Sequence, residues 1–329
     1  MCKIILGDSP MDLLNKAYGE CFPYLLPVRL DISLTTDCDI NCAYCWHQKK
    51  NGSLLTYESL AGIIDLLSLK RPPRLNLTGG EPTIFPDFER ILEHAHKSGI
   101  KNILLCTNGY RLREMDFAER IIGLGLTALN ISVDTLDSAK FEMLRGYKFS
   151  DFEKVLKNCL SLKEKFPNVN ISLVSVMSRE VTPDELYEVK KLCISNKLGY
   201  FVQTFDNTKY REINKRFALR RKERREYLER LSWLDGRVGD VVKRAQNPLT
   251  QKGKSTRCYK GITTVKLSSD GSIGFCWQSK PVGNILKSSF IEIWNSEAAR
   301  RARAYIRDKR CRCDFDCDVF ESLDLYDII

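Results

Sequence analysis

Cys38-Asp-Ile-Asn-Cys42-Ala-Tyr-Cys45 is the stretch from which the rest of this chain can be read. Its three cysteines are spaced C-x3-C-x2-C and follow the apolar run Val28-Arg-Leu-Asp-Ile-Ser-Leu34, which reads as a strand. Three thiols on one loop cannot all pair off internally as disulfides. Three thiolates converging from one loop suit an iron–sulfur cluster, because such clusters are held by cysteine sulfur. A cubane has four irons, so three protein ligands leave one iron open, as in catalytic rather than structural metal centres. A zinc knuckle or three unrelated buried thiols are the competing readings, and His47 is the one histidine nearby.

Outward from the loop, strands and helices alternate. Leu55 to Leu67 carries apolar residues at helical spacing, with Thr56 as N-cap. Leu75–Thr78, Asn102–Thr107, Ala128–Val133, Asn170–Met177 and Tyr200–Phe205 read as further strands. Between them, helices are expected over 85–98, 111–122, 138–144, 151–165 and 183–195. Six strands alternating with helices imply a parallel sheet, open or closed into a barrel. In either form active sites collect at the carboxyl ends of the strands, where the cysteine loop lies.

The chain has 329 residues and a hydrophobic fraction of 43%, which suits a globular core. No apolar run reaches the ~18 residues a membrane span needs, and the N-terminus lacks a signal-peptide pattern. A cytoplasmic protein is therefore expected. Thirteen cysteines are many for that compartment and point to metal ligation rather than disulfides. Cys2, Cys21, Cys106, Cys159 and Cys193 stand singly and read as small buried hydrophobes. Three histidines leave little room for a histidine-based metal site. The net charge of +10 permits an anionic partner without naming one.

Gly79-Gly80-Glu81-Pro82 follows the second strand, where paired glycines allow close backbone approach. Thr107-Asn108-Gly109 ends the third strand and Ser132-Val-Asp134 the fourth. A carboxylate at a strand end can bind ribose hydroxyls, or Asp134 or Asp137 can cap the next helix. Together, the cysteine loop with Tyr44 as its aromatic and the GGEP turn resemble the radical SAM superfamily. The resemblance implies a partial (β/α)6 TIM-type barrel and a [4Fe–4S] cluster on Cys38, Cys42 and Cys45. It implies that S-adenosylmethionine (SAM) chelates the open iron and is cleaved reductively to a 5′-deoxyadenosyl radical. Gly79, Gly80, Glu81 and Pro82 then match the motif that binds the SAM amino group. Thr107 and Asn108 match TNG, Ser132 and Asp134 the ribose contacts, and Arg145, before Gly146, a partner for the SAM carboxylate or a structural ion pair. Tyr44 would contact adenine or shield the cluster. Asp39 stands where many members carry Asn.

Beyond the sixth strand the pattern changes. Tyr210 to Leu234 reads as a charged helical linker, Lys209 to Arg230 holding ten Lys or Arg against four Glu, with Ile213, Phe217, Tyr227, Leu228 and Leu231 as its packing stripe. Thr263 to Cys276 reads as a hairpin turning at Asp270-Gly271, followed by a basic helix over 288–307. Cys258, Cys276, Cys311, Cys313 and Cys317, with Trp294-Asn-Ser-Glu, resemble the SPASM/twitch extension, whose opening pattern is C-x9-15-G-x4-C. The full pattern has seven cysteines; five here imply a small C-terminal α+β iron–sulfur domain with one auxiliary [4Fe–4S] cluster. Its expected ligands are Cys258, Cys276, Cys313 and Cys317, with Cys311 able to replace Cys313, and a zinc site as the alternative.

The expected domains are a lead-in (1–27), a radical SAM barrel (28–206), a basic linker (207–250) and the auxiliary domain (251–329). The expected activity is hydrogen abstraction from a peptide or a small sugar- or aminocyclitol-like molecule. Gln203 and Asp206, at the sixth strand's end, are candidate substrate contacts. The expected partners are an electron donor such as flavodoxin or ferredoxin and the substrate, with neither membrane nor nucleic acid. A non-catalytic electron-transfer or redox-sensing protein would explain the cysteines but not the strand-end motifs. An RNA-modifying enzyme would rest on the basic stretch alone.

Overall fold

The structure, a computed structural model, describes residues 27–45, 52–69, 73–204, 216–231, 261, 263–276 and 279–307. The chain divides into two compact units: Asp31–Trp233 with Ser268–Asp270, and Met1–Leu30, Leu234–Leu267 and Gly271–Ile329.

The first unit contains a sheet whose strands lie side by side in chain order. They are β1 (Arg29–Ser33), β2 (Arg74–Thr78), β3 (Ile103–Thr107), β4 (Ala128–Ser132), β5 (Asn170–Met177) and β6 (Gly199–Thr204). From β2 to β6 every pairing is parallel, as the alternation with helices requires. The intervening helices are α1 (Tyr57–Ser68), α2 (Phe88–Lys97), α3 (Met115–Gly123), α4 (Ser138–Arg145), α5 (Phe149–Lys165) and α6 (Pro183–Ser195). Thus the expected partial α/β barrel is what the chain forms.

Laterally paired residues share a face, and the register sorts the strands into two faces. One carries Leu75, Leu77, Leu105, Leu129, Ile131 and Leu173, all essentially buried. The other carries Asn76, Cys106, Asn130, Ser132, Val174, Val176, Phe201 and Gln203. Most of this second face is only partly buried, and Phe201 and Gln203 are exposed. The fold therefore buries one side of the sheet completely and leaves a partly polar face on the other.

Local chemistry sets the helix boundaries. Thr56 and Ser59 form a capping box on α1, and Thr182 and Glu185 form one on α6, where Pro183 occupies the first turn. Two expected helices are broken. Pro86 holds Phe85 extended, so a short 3-10 turn at Pro82–Ile84 precedes α2. The helix expected over 111–122 is a 3-10 turn, Tyr110–Arg113, followed by α3 after an extended Glu114. There Asn158 donates to the Leu112 and Arg113 carbonyls at 2.9 Å, taking acceptors that a continuous helix would use.

Only part of the charged linker is described: α7 (Arg221–Arg230) is helical, and Phe217, Tyr227 and Leu231 are buried as the expected packing residues. Arg179–Glu223 and Arg230–Asp184 ion pairs flank them.

In the second unit, β7 (Thr264–Leu267) and β8 (Ser272–Gly274) form the expected hairpin, extended by β9 (Gly283–Asn284). The expected basic helix is two helices, α8 (Phe290–Asn295) and α9 (Glu297–Arg307). Ser296 is extended, and its hydroxyl caps α9 through the Ala299 amide at 3.1 Å, so the break supplies a new helix start. Arg303 of α9 is buried, donating to the Gly261 and Trp294 carbonyls at 2.7 and 2.8 Å. Its guanidinium lies over the Trp294 and Phe275 rings at 4.2 and 4.7 Å. This holds the strand end that leads into Cys276.

Candidate active site

The cysteine loop leaves β1 and is gripped from two directions. On one side the Gly80 amide donates to the Thr35 carbonyl at 2.7 Å, and the Glu81 amide to the Asp37 carbonyl at 2.8 Å. A Cβ at Gly80 would stand 2.1 Å from the Asp37 oxygen, so the second glycine is required for this approach. On the other side the Ala43 amide donates to the Leu144 carbonyl at 2.9 Å. Gly146, at φ +76°, leaves no room for a Cβ, which would lie 2.6 Å from the Asn41 oxygen. GGEP and RG are thus the two jaws that shape the loop.

Glu81 is fully buried and takes no part on an open surface. Its carboxylate receives the Thr107 hydroxyl at 2.9 Å, the Thr83 hydroxyl and amide at 2.7 and 3.1 Å, and the Asn108 amide at 2.8 Å. Burial pushes its carboxyl above the usual range, and these donors work against that rise. Glu81 therefore ties the end of β2 to the end of β3. Pro82 is buried at the start of the following 3-10 turn.

Asp134 and Arg145 meet across Tyr44. Both side chains are almost fully buried and lie 3.6 Å apart. The Tyr44 hydroxyl donates to Asp134 and accepts from Arg145 at 2.9 Å. The second Asp134 oxygen accepts the Val176 amide at 2.9 Å. Of the alternatives the sequence allowed, helix capping falls to Asp137, which accepts the Lys140 amide at 2.7 Å. Ser132 is half-buried on the polar face of the sheet. Gln203 lies beside Val176 on that face, while Asp206 lies outside the described residues.

Two neighbours carried no motif. Phe217, from the segment before α7, sets its ring edge-on to Tyr44 at 5.7 Å. Tyr147 donates to the Asn108 carbonyl at 3.2 Å and packs against Tyr110 and Phe141. The aromatic clustering of 141–152 was the available signal for Tyr147; Phe217 read in sequence only as a packing residue of the charged stretch.

Burial raises the Cys38 and Cys42 thiols above their usual range. The Ile40 amide and the Asn108 side chain partly offset this at Cys38, and Arg145 does so at Cys42. Metal coordination would deprotonate them outright. Among the described residues no three Cys, His, Asp or Glu side chains close around one point. The fold supplies a clamped loop bearing three soft donors. Beside it, the Nε of the buried Arg145 has no hydrogen-bond partner among the described residues. A loop of three thiols next to a buried cation fits an anionic iron–sulfur cluster. Of the C-terminal candidates Cys276 is described and half-buried; Cys258, Cys311, Cys313 and Cys317 lie outside the described residues.

Comparison with known proteins agrees with this geometry. Residues 32–193 match the radical SAM superfamily, and residues 258–318 match the SPASM iron–sulfur cluster-binding domain. The chain belongs to the radical SAM superfamily. Within it, the chain carries a SPASM domain in its C-terminal region, and the two domains indicate SAM, a [4Fe–4S] cluster and an auxiliary cluster as cofactors. Curated relatives include the probable GTP 3′,8-cyclase of Pyrococcus horikoshii, 26% identical over 271 residues, or 75% of this chain and 83% of that protein. GTP 3′,8-cyclase of Synechococcus elongatus is 30% identical over 188 residues, covering 55% and 57%. Among solved structures, Streptococcus suis SuiB bound to S-adenosylmethionine aligns with a TM-score of 0.65 at 18% identity, over 93% of this chain and 75% of that one. Native anSMEcpe with bound AdoMet and Cp18Cys peptide aligns at 0.61 with 19% identity, over 87% of each chain. These two likenesses concern the fold. Among the described residues no helix is long and apolar enough to cross a membrane.

Proposed function

We propose that this chain reductively cleaves SAM and uses the resulting radical on a small anionic substrate, with nucleotides ahead of peptides. The observation that carries the chemistry is the C-x3-C-x2-C loop held between GGEP and RG at the strand ends. Bound SAM and its cluster supply a 5′-deoxyadenosyl radical that takes a hydrogen atom from the substrate.

Cys38, Cys42 and Cys45 hold the cluster. Gly79 and Gly80 expose backbone to the SAM amino group, while Glu81 fixes their turn from beneath through Thr107 and Asn108. Asp134 and Arg145 act on SAM chiefly by orienting Tyr44, and Ser132 offers a hydroxyl on the same face as Val174 and Val176. Farther along this face Gln203 meets substrate, and Asp206 follows it in sequence. Cys258, Cys276, Cys313 and Cys317, with Cys311 as the alternative to Cys313, hold the auxiliary cluster. A flavodoxin or ferredoxin supplies the electron.

Support for a nucleotide comes from the curated relatives, which are named for GTP, and from the chain's net charge of +10. The reconstituted protein, given SAM and a low-potential reductant without oxygen, is expected to release 5′-deoxyadenosine. Cys42→Ala is expected to abolish that release, and retention of it would overturn the assignment. GTP is expected to be consumed with a matching rise in 5′-deoxyadenosine. If SAM turns over but only a peptide raises the rate, the radical chemistry stands and the nucleotide reading falls.

A further inference from the structure

We propose that Asn108 is a positioning and tuning residue for the first cluster ligand: its side-chain amide donates a hydrogen bond to Cys38 sulfur and raises the cluster's reduction potential. The inference deepens the functional reading above and rests on it.

An Asn side chain can be turned over without changing its shape, so its orientation must come from its partners. Here one partner settles it. The Tyr110 backbone amide, a donor, lies 2.7 Å from Asn108 Oδ1. That end must be oxygen, so the NH2 end points at the cysteine loop. The two hydrogens there have separate acceptors, Asp39 Oδ1 at 2.7 Å and Cys38 Sγ at 3.5 Å. The latter is an ordinary N–H···S distance.

The rest of Asn108 is pinned. Its amide donates to Glu81 at 2.8 Å, its carbonyl accepts from Tyr147 at 3.2 Å, and it is 6% exposed. All of its polar groups are thus engaged, and the donor cannot swing away from the sulfur cheaply. The same NH2 holds the carboxylate of Asp39, which would otherwise add negative charge freely beside Cys38.

Reduction adds an electron that is shared onto the cluster sulfurs. A donor to a ligand sulfur stabilises the reduced state more than the oxidised one, and hydrogen bonds to sulfur are among the levers that set cluster potentials. Removing the donor should therefore make the cluster harder to reduce.

The test is a redox titration of the reconstituted enzyme followed by electron paramagnetic resonance, with the C-terminal cluster's signal distinguished by its spectrum. Asn108→Ala is expected to lower the ratio of reduced to oxidised SAM cluster at a fixed potential by roughly three- to tenfold. Asn108→Asp keeps the oxygen for Tyr110 and the packing volume but puts an oxygen where the donor was. It is expected to shift the potential further in the same direction. Wild-type potentials in both variants would overturn the proposal. Should neither variant retain a cluster, the wild-type protein decides: asparagine labelled with 15N in its side-chain amide is expected to give a hyperfine coupling to the reduced cluster that persists in Asn41→Ala. Absence of that coupling would overturn the proposal equally. A wild-type chain that takes up no four-iron cluster, by iron analysis, would instead remove the functional reading, and this inference with it.

Discussion

At the scale of single residues, the site is a set of buried polar groups that satisfy one another. Asp134, Tyr44 and Arg145 form the costliest group, because a charge left alone in a dry interior is far less stable than a paired one. Asp134→Ala strands the Arg145 guanidinium and is expected to cost about 3–5 kcal/mol in denaturant unfolding. Arg145→Met alone strands the carboxylate and should cost a similar amount. The double variant should cost clearly less than the sum, since neither charge is then left behind. Additive costs in that cycle would contradict a direct pair. The Tyr44 ring, held by both charges through its hydroxyl and by Phe217 at its edge, ties the pair to the loop between Cys42 and Cys45.

Two consequences belong to the helices. Glu185 closes the α6 capping box at the Thr182 amide, 2.8 Å away, and also binds Lys140 at 2.9 Å and Thr135 at 2.8 Å. Burial alone would raise its carboxyl, but the Lys140, Thr182 and Thr135 bonds outweigh it and hold the carboxyl below its usual range. Its folded pKa is lowered, so its contribution is present above the unfolded value of roughly 4.3 and is lost as pH falls through the lower folded value. Glu185→Gln should therefore be less stable than wild type at neutral pH, by at most about 1 kcal/mol given partial solvent screening. That gap should close on acidification below about pH 4; a gap independent of pH would assign the effect to packing. Cys159 on α5 and Cys193 on α6 are fully buried, and burial pushes each thiol up to about 12. Both should resist iodoacetamide at pH 8 in the folded protein and react only on unfolding, as read by peptide mass spectrometry. Rapid native alkylation would show that these sites open.

For the molecule as a whole, the two compact units carry separate cysteine sets. Replacing Cys258 by Ala is expected to lower the bound iron of the anaerobically reconstituted chain by about half. The signal of the SAM cluster, and uncoupled release of 5′-deoxyadenosine, should remain. Loss of all iron would show that the two sets do not load independently. In the C-terminal unit the buried Arg303, between Trp294 and Phe275, is what a sequence reading of a basic helix could not separate from its solvated neighbours. Its neighbour Arg301, at 78% side-chain exposure, is chemically identical and differs only in which way the helix turns it.

By itself the sequence determined the alternation of strands and helices, the end of the sheet at which the chemistry sits, and the soft donors on the loop. Period, capping residues and cysteine spacing are local properties, written within a few residues of one another. The polar face of the sheet followed once the parallel register was known, since that register alone brings Ser132, Val174 and Gln203 to one side. Only the tertiary structure decided what the strand-end motifs do for each other. Glu81 reads as part of a ligand-binding turn in sequence, but besides the nearby Thr83 its donors are Thr107 and Asn108, a strand away. Asp134 and Arg145 read as separate contacts until the fold places Tyr44 between them. Partnerships across tens of residues depend on which strand ends are adjacent and on which groups are denied water. Both are set by packing, which no local pattern records. The same packing gives the opening loop its shape: Cys38, Cys42 and Cys45 are close in sequence, but Gly80 and Gly146 decide the path of the backbone that carries them.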